Sequence, residues 1–140
     1  MNWPKNQPSL ERVEMITMLI QEEDMTALID GCLDIAVSVR KQAMGALTEM
    51  LQLRSVTPSL VEAWLVGVLP LSADPEMSVQ IKNAQATFDV LFKGIASWSD
   101  SKQAVAPIYL WTLCSQIAAS PVRTKLLKSS VTIMIKQGII

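Results

Sequence analysis

Between residues 34 and 91 the apolar positions fall into two blocks that superpose when one is slid 40 residues along the other. The first, Asp34 to Leu51, reads D-I-A-V-S-V-R-K-Q-A-M-G-A-L-T-E-M-L, and the second, Asp74 to Leu91, reads D-P-E-M-S-V-Q-I-K-N-A-Q-A-T-F-D-V-L. Asp34 falls on Asp74, Ser38 on Ser78, Val39 on Val79, Ala46 on Ala86 and Leu51 on Leu91 without a gap. A period near 40 with helical rather than alternating spacing is the mark of stacked helical hairpins, in which each unit buries its apolar face against the next. The expectation is an all-α solenoid of about three helical hairpins behind a leading half repeat.

Taken in order, residues 1–8 are expected to be a flexible N-terminus. Ser9 can cap a helix to about Glu23, with Leu10, Val13, Ile16 and Ile20 on one face, as the second half of a truncated repeat. The first full repeat spans 25–53. It has a short helix from Met25 to Leu33, a tight connection at Asp34, and a second helix whose stripe is Val39, Ala43, Ala46, Leu47, Met50 and Leu51, with Arg40, Lys41, Gln42, Thr48, Glu49 and Gln52 off it. The second repeat, 57–94, opens on Thr57-Pro58, a cap followed by proline at the first helical position, and Pro70 is expected to kink or end that helix. Asp74-Pro75 repeats the device, and Gly94 suits a helix stop. On the helix between them, Ile81, Ala84, Phe88, Leu91 and Phe92 sit apart from Val79, Ala86 and Val90, so neighbours are expected on both sides. The third repeat, 101–138, pairs a helix reaching Ala119 with one from Pro121 after a Ser120 cap, ending at Gly138. That last helix keeps apolar positions where a stack normally finishes on a polar capping unit, so the chain is expected to be a fragment or short isoform of something longer.

Composition narrows the function classes. The longest strongly apolar run, Ala63 to Leu71, is interrupted by Pro70 and is much shorter than the roughly 20 residues of a membrane-spanning helix. The N-terminus carries no signal-peptide pattern, so an intracellular setting is expected. Cys32 and Cys114 each lie in an apolar helical pattern and read as buried thiols rather than a bridge or metal pair. Net charge is -1, but residues 1–100 carry -6 and residues 101–140 carry +5, the latter from Lys102, Arg123, Lys125, Lys128 and Lys136 with no acidic side chain. Such asymmetry is either a solvated face or a contact for nucleic acid or an acidic partner, with Lys125, Lys128 and Lys136 the freest candidates.

Chemistry is sparse. The chain has no histidine, which removes the usual base for a serine or cysteine nucleophile and the commonest metal ligand. Its five glycines are scattered singly, without a phosphate-binding loop. Glu22-Glu23-Asp24 lacks the spacing and turn glycine of a calcium loop and reads as a solvated turn between helices. Trp64 and Trp111, like Met15, Met18 and Met25, are read as core. No enzyme, cofactor, metal or small-molecule substrate is expected.

An aspartate at the inter-helix turn, V-R five residues on and an alanine four beyond the valine resemble the HEAT repeat, matched here by Asp34, Val39, Arg40 and Ala43. In that family the aspartate and arginine commonly form a structural ladder between repeats, and the resemblance assigns that place to Asp34, Arg40 and Asp74. The second repeat has Gln80 and Asn83 instead of the arginine and alanine, and the third keeps Val122 and Arg123 without the aspartate. More narrowly, S-V-R-K-Q-A-M-G-A-L-T-E-M-L (38–51), V-E-A-W-L-V-G-V-L-P (61–70) and D-P-E-M-S-V-Q (74–80) resemble the D-type HEAT subunits of the condensin II complex. That resemblance implies a nuclear, chromosomal, non-enzymatic scaffold that joins SMC and kleisin subunits in mitotic chromosome condensation and contacts DNA or chromatin. The alternative is a HEAT scaffold of another assembly, such as a transport receptor or phosphatase scaffold, that binds protein partners only.

Overall fold

The computed structural model describes residues 22–52, 57–93, 95–96 and 108–140. Six α-helices follow one another there: α1 Glu22–Cys32, α2 Val37–Leu51, α3 Pro58–Gly67, α4 Met77–Thr87, α5 Ile108–Ala118 and α6 Pro121–Lys136. No strand occurs among the described residues. Residues 9–21 of the helix expected from Ser9 to about Glu23, the N-terminal 1–8 and the Gly94 stop lie outside the described residues.

Alternation governs the packing. α1 packs on α2 and α3, and α3 on α5; α2 packs on α3 and α4, and α4 on α6. Odd-numbered helices therefore neighbour odd ones and even neighbour even, an arrangement consistent with an α-solenoid. The core runs through the stack from Met25 and Cys32 past Met44, Leu47, Trp64, Leu65 and Val68 to Leu110 and Leu113. α1 and α2 approach so closely that a Cβ on Gly31 would lie 2.8 Å from Ala43 Cβ, so any side chain there would force the hairpin apart.

The punctuation has clear causes. Thr57 accepts from Leu60 N through its side chain at 3.2 Å, and Ser120 from Arg123 N at 3.2 Å, each followed by proline at the first helical position. Pro70 falls in a 3-10 turn, Leu69–Ala73, after α3 has stopped at Gly67. At the end of α6, Gly138 adopts φ +70°. Its N–H bonds to Ile135 O at 3.2 Å and Ile139 N to Met134 O at 2.9 Å, the double closure that a left-handed residue makes possible. α4 continues as a π-turn over Phe88–Phe92.

Several expectations are corrected. Glu22-Glu23-Asp24 lies within helix α1 rather than in a loop. Asp74-Pro75 does not cap α4, which begins at Met77 after Glu76; Asp74 Oδ1 instead accepts from Glu76 N at 2.9 Å. Thr48 lies on the buried face of α2, because its hydroxyl accepts from Trp64 Nε1 at 3.1 Å. Val39 is exposed instead. Trp64 is fully buried as expected, whereas Trp111 is half exposed on α5.

Candidate functional site

The two turns related by the 40-residue shift are built alike. Asp34 Oδ1 accepts from Ala36 N at 2.8 Å, as Asp74 Oδ1 does from Glu76 N; an aspartate bonding the backbone two residues on makes a local turn that sets the next helix off. Six residues later, on the first turn of each even helix, a side chain reaches back. Arg40 Nη1 donates to Asp34 O at 3.0 Å and Ile35 O at 2.9 Å, and Gln80 Nε2 donates to Asp74 O at 2.5 Å.

Arg40 has donors left over, and they cross to the next turn. Its Nη2 donates to Asp74 Oδ1 at 3.0 Å, and its Nε lies 2.8 Å from Asp74 Oδ2, a close ion-pair approach whose N–H is not aligned as a hydrogen bond. The Arg40 side chain is 12% exposed and that of Asp74 4%. A planar guanidinium, with five N–H donors spread over a rigid fork, can serve two backbone carbonyls on one side and a carboxylate on the other, whereas a glutamine amide has only two N–H donors on one nitrogen. Gln80, being neutral and shorter, ends its reach on its own turn.

The third even helix is out of step. Arg40 and Gln80 are the fourth residues of α2 and α4, but the fourth residue of α6 is Thr124, whose hydroxyl lies 3.0 Å from both Ile117 O and Ser120 O. Val122 and Arg123 stand one position early, so Val122 is exposed and Arg123 Nη2 pairs with Glu62 Oε1 at 3.1 Å on α3.

Lys125, Lys128 and Lys136 are all exposed on α6, on the face opposite buried Ser130 and Met134. Lys125 and Lys128 are three apart, and Lys136 falls near the same side about 12 Å further along. Arg123 and Lys82 are engaged, Arg123 with Glu62 and Lys82 through its Nζ, which donates to Lys41 O at 3.0 Å. Lys102 lies outside the described residues.

A buried polar junction escaped sequence reasoning. Asn83, in the place Ala43 holds 40 residues earlier, donates to Val68 O at 2.6 Å, and its Oδ1 accepts from Ser130 Oγ at 3.3 Å, joining α4 and α6 to the residue that closes α3. A polar residue on an otherwise apolar stripe was the available signal. Between the starts of α1 and α3 a hollow of about 540 Å³ is lined by Met25, Thr26, Ile29, Pro58, Ser59, Glu62 and Ala63, with Glu62 its one charged side chain. Among the described residues no cluster of metal-ligating side chains occurs, and no helix is long and apolar enough to cross a membrane. Cys32 and Cys114 are free thiols, and burial raises both, Cys32 to about 11.

No protein-family model matches the chain, and no solved structure matches it. Over 81 residues, 58% of this chain, it is 41% identical to the condensin-2 complex subunit D3-L of Xenopus laevis. The matched stretch is 5% of that protein's length, so this chain corresponds to a small part of it. A segment of the chain is thus similar to part of a condensin-2 D3 subunit.

Proposed function

We propose that the chain is a non-enzymatic HEAT-repeat scaffold segment of a condensin II-type complex, acting in the nucleus on mitotic chromosomes. The observation that carries this is the 41% identity over 81 residues to a protein named as a condensin-2 subunit. The repeat reading is supported by the 40-residue shift that superposes Asp34 on Asp74, with its units at 9–23, 25–53, 57–94 and 101–138. In this reading Asp34, Arg40 and Asp74 form a structural ladder that fixes one repeat on the next, and the partners are the SMC and kleisin subunits. DNA or chromatin is met by the exposed lysines of α6, Lys125, Lys128 and Lys136, with Arg123 and Lys102 in secondary places. The chemistry of ATP hydrolysis belongs to the SMC partners.

Co-purification tests the assignment. Tagged full chain recovered from dividing cells should bring down SMC ATPases and a kleisin. Recovery of transport cargo or phosphatase subunits without any SMC protein would overturn it in favour of a HEAT scaffold of another assembly.

A further inference from the structure

The turns at 33–36 and 73–76 lie side by side, because the Arg40 guanidinium that holds Asp34 O and Ile35 O also holds the Asp74 carboxylate. Each is fixed from within as well, Asp34 Oδ1 accepting from Ala36 N and Asp74 Oδ1 from Glu76 N. This well-held edge nevertheless presents large apolar side chains to water: Leu33 is 73% exposed, Ile35 97% and Met77, where α4 begins, 57%. A turn that serves only to reverse the chain favours Asn, Asp, Ser or Gly at such places. One exposed apolar side chain needs no explanation, but three grouped on two tied turns mark a contact surface.

The charges around them have one sign. Over 30–40 and 73–79 the charged side chains are Asp30, Asp34, Arg40, Asp74 and Glu76. Arg40 and Asp74 neutralise each other, which leaves the carboxylates of the exposed residues Asp30, Asp34 and Glu76 and no exposed cation. We infer that this edge is a docking surface for a segment of a partner protein that carries apolar side chains between lysines or arginines. Opposite charge steers such a segment onto the edge and fixes its register. The side chains that receive it stand on backbone already held by hydrogen bonds, so little order is lost on binding. Nucleic acid and anionic lipid are repelled by the same three carboxylates. The inference stands on the tied turns and is independent of the assembly proposed above.

Fluorescence anisotropy on the full chain tests it, with a labelled amphipathic leucine-lysine peptide as probe and its leucine-glutamate counterpart as control. The parent should bind the lysine peptide at least ~10-fold more tightly than the glutamate one, and an Ile35→Ser, Met77→Ser variant should lose at least ~10-fold of that affinity, the effect of removing central anchors. Both side chains being exposed, the variant should unfold at the parent's urea midpoint. Asp30→Asn with Glu76→Gln keeps the apolar side chains and the turns, and should weaken binding while making it less sensitive to salt. Val122→Ser with Ile135→Ser removes exposed apolar side chains from α6 instead and should change nothing. The photo-crosslinker p-benzoylphenylalanine at Leu33 should capture the peptide, and at exposed Val66 on α3 should not. Equal affinity for the two peptides, binding indifferent to the Ile35 and Met77 changes, or an equal loss in the α6 variant would each overturn the docking. Sedimentation without peptide covers the remaining occupant: self-association abolished by Ile35→Ser, Met77→Ser would give the edge to a second copy of the chain and overturn the partner segment.

Discussion

Val39 and Val79 occupy the same place in two helices 40 residues apart, yet the first is 37% exposed and the second 0%. The helices divide again at their fourth residue, where Arg40 spans two turns and Gln80 serves one, and once more where Ala43 is matched by Asn83. α4 lies between α2 and α6, so both its sides are buried and a polar residue between them finds partners on either hand. In a stacked architecture, what a position contributes is set by its neighbours as much as by its own side chain.

The largest contrast is at the polar junction. Asn83→Ala gives α4 the residue α2 already has, and should cost about 2 to 3 kcal/mol in urea unfolding, since Ser130 loses its acceptor and a hole is left in the core. A loss under half that would mean that the junction is not what separates the two helices. Next, Val79→Ala should cost about 2 kcal/mol, whereas Val39→Ala should stay within about 0.5 kcal/mol if its flank is as open as its exposure indicates. Equal losses would erase the contrast.

Cys32 and Ser72 are also 40 apart and both buried, the first a thiol held up to about 11 and the second a hydroxyl with no hydrogen-bond partner. The folded state favours the neutral thiol. Its contribution is fully present below pH 9.0, the value for an unperturbed thiol, and is lost as pH rises through about 11. Cys32→Ala should flatten the fall in stability between those limits. Ser72→Ala should be neutral or stabilising by up to ~1 kcal/mol, because it removes an unpaired polar atom.

The last contrast sets α4 against α6. Changing Lys125, Lys128 and Lys136 together to Glu should leave stability nearly unchanged but abolish weak duplex DNA binding, whose log K should fall with log salt at a slope of about -2.7 in the parent. If the parent binds no better than the variant at low salt, the basic face is a solvated surface and not a DNA contact.

The sequence made the helix limits legible because their signals are local: the Thr57-Pro58 and Ser120-Pro121 caps, Pro70 as a helix limit and Gly138 as a stop all depend on residues a few places apart. What it concealed depends on distant partners. Thr48 is buried because an indole 16 residues away donates to it, and Arg123 turns to Glu62, 61 residues away. The one-position offset of α6 hid there too, since Val122-Arg123 imitates Val39-Arg40 in letters while the helix starts too late to use them alike.

Arg40 and Asp74 tie consecutive turns together, and a double-mutant cycle measures that tie directly. Arg40→Ala, Asp74→Ala and the double variant should be compared by urea denaturation, with DNA binding followed in parallel. The single changes should each cost about 1 to 4 kcal/mol, and the double variant should cost at least ~1 kcal/mol less than their sum, since removing both charges leaves neither one buried alone. Additive losses, or unchanged stability with DNA binding lost in Arg40→Ala, would contradict the account and place Arg40 at a nucleic-acid contact instead.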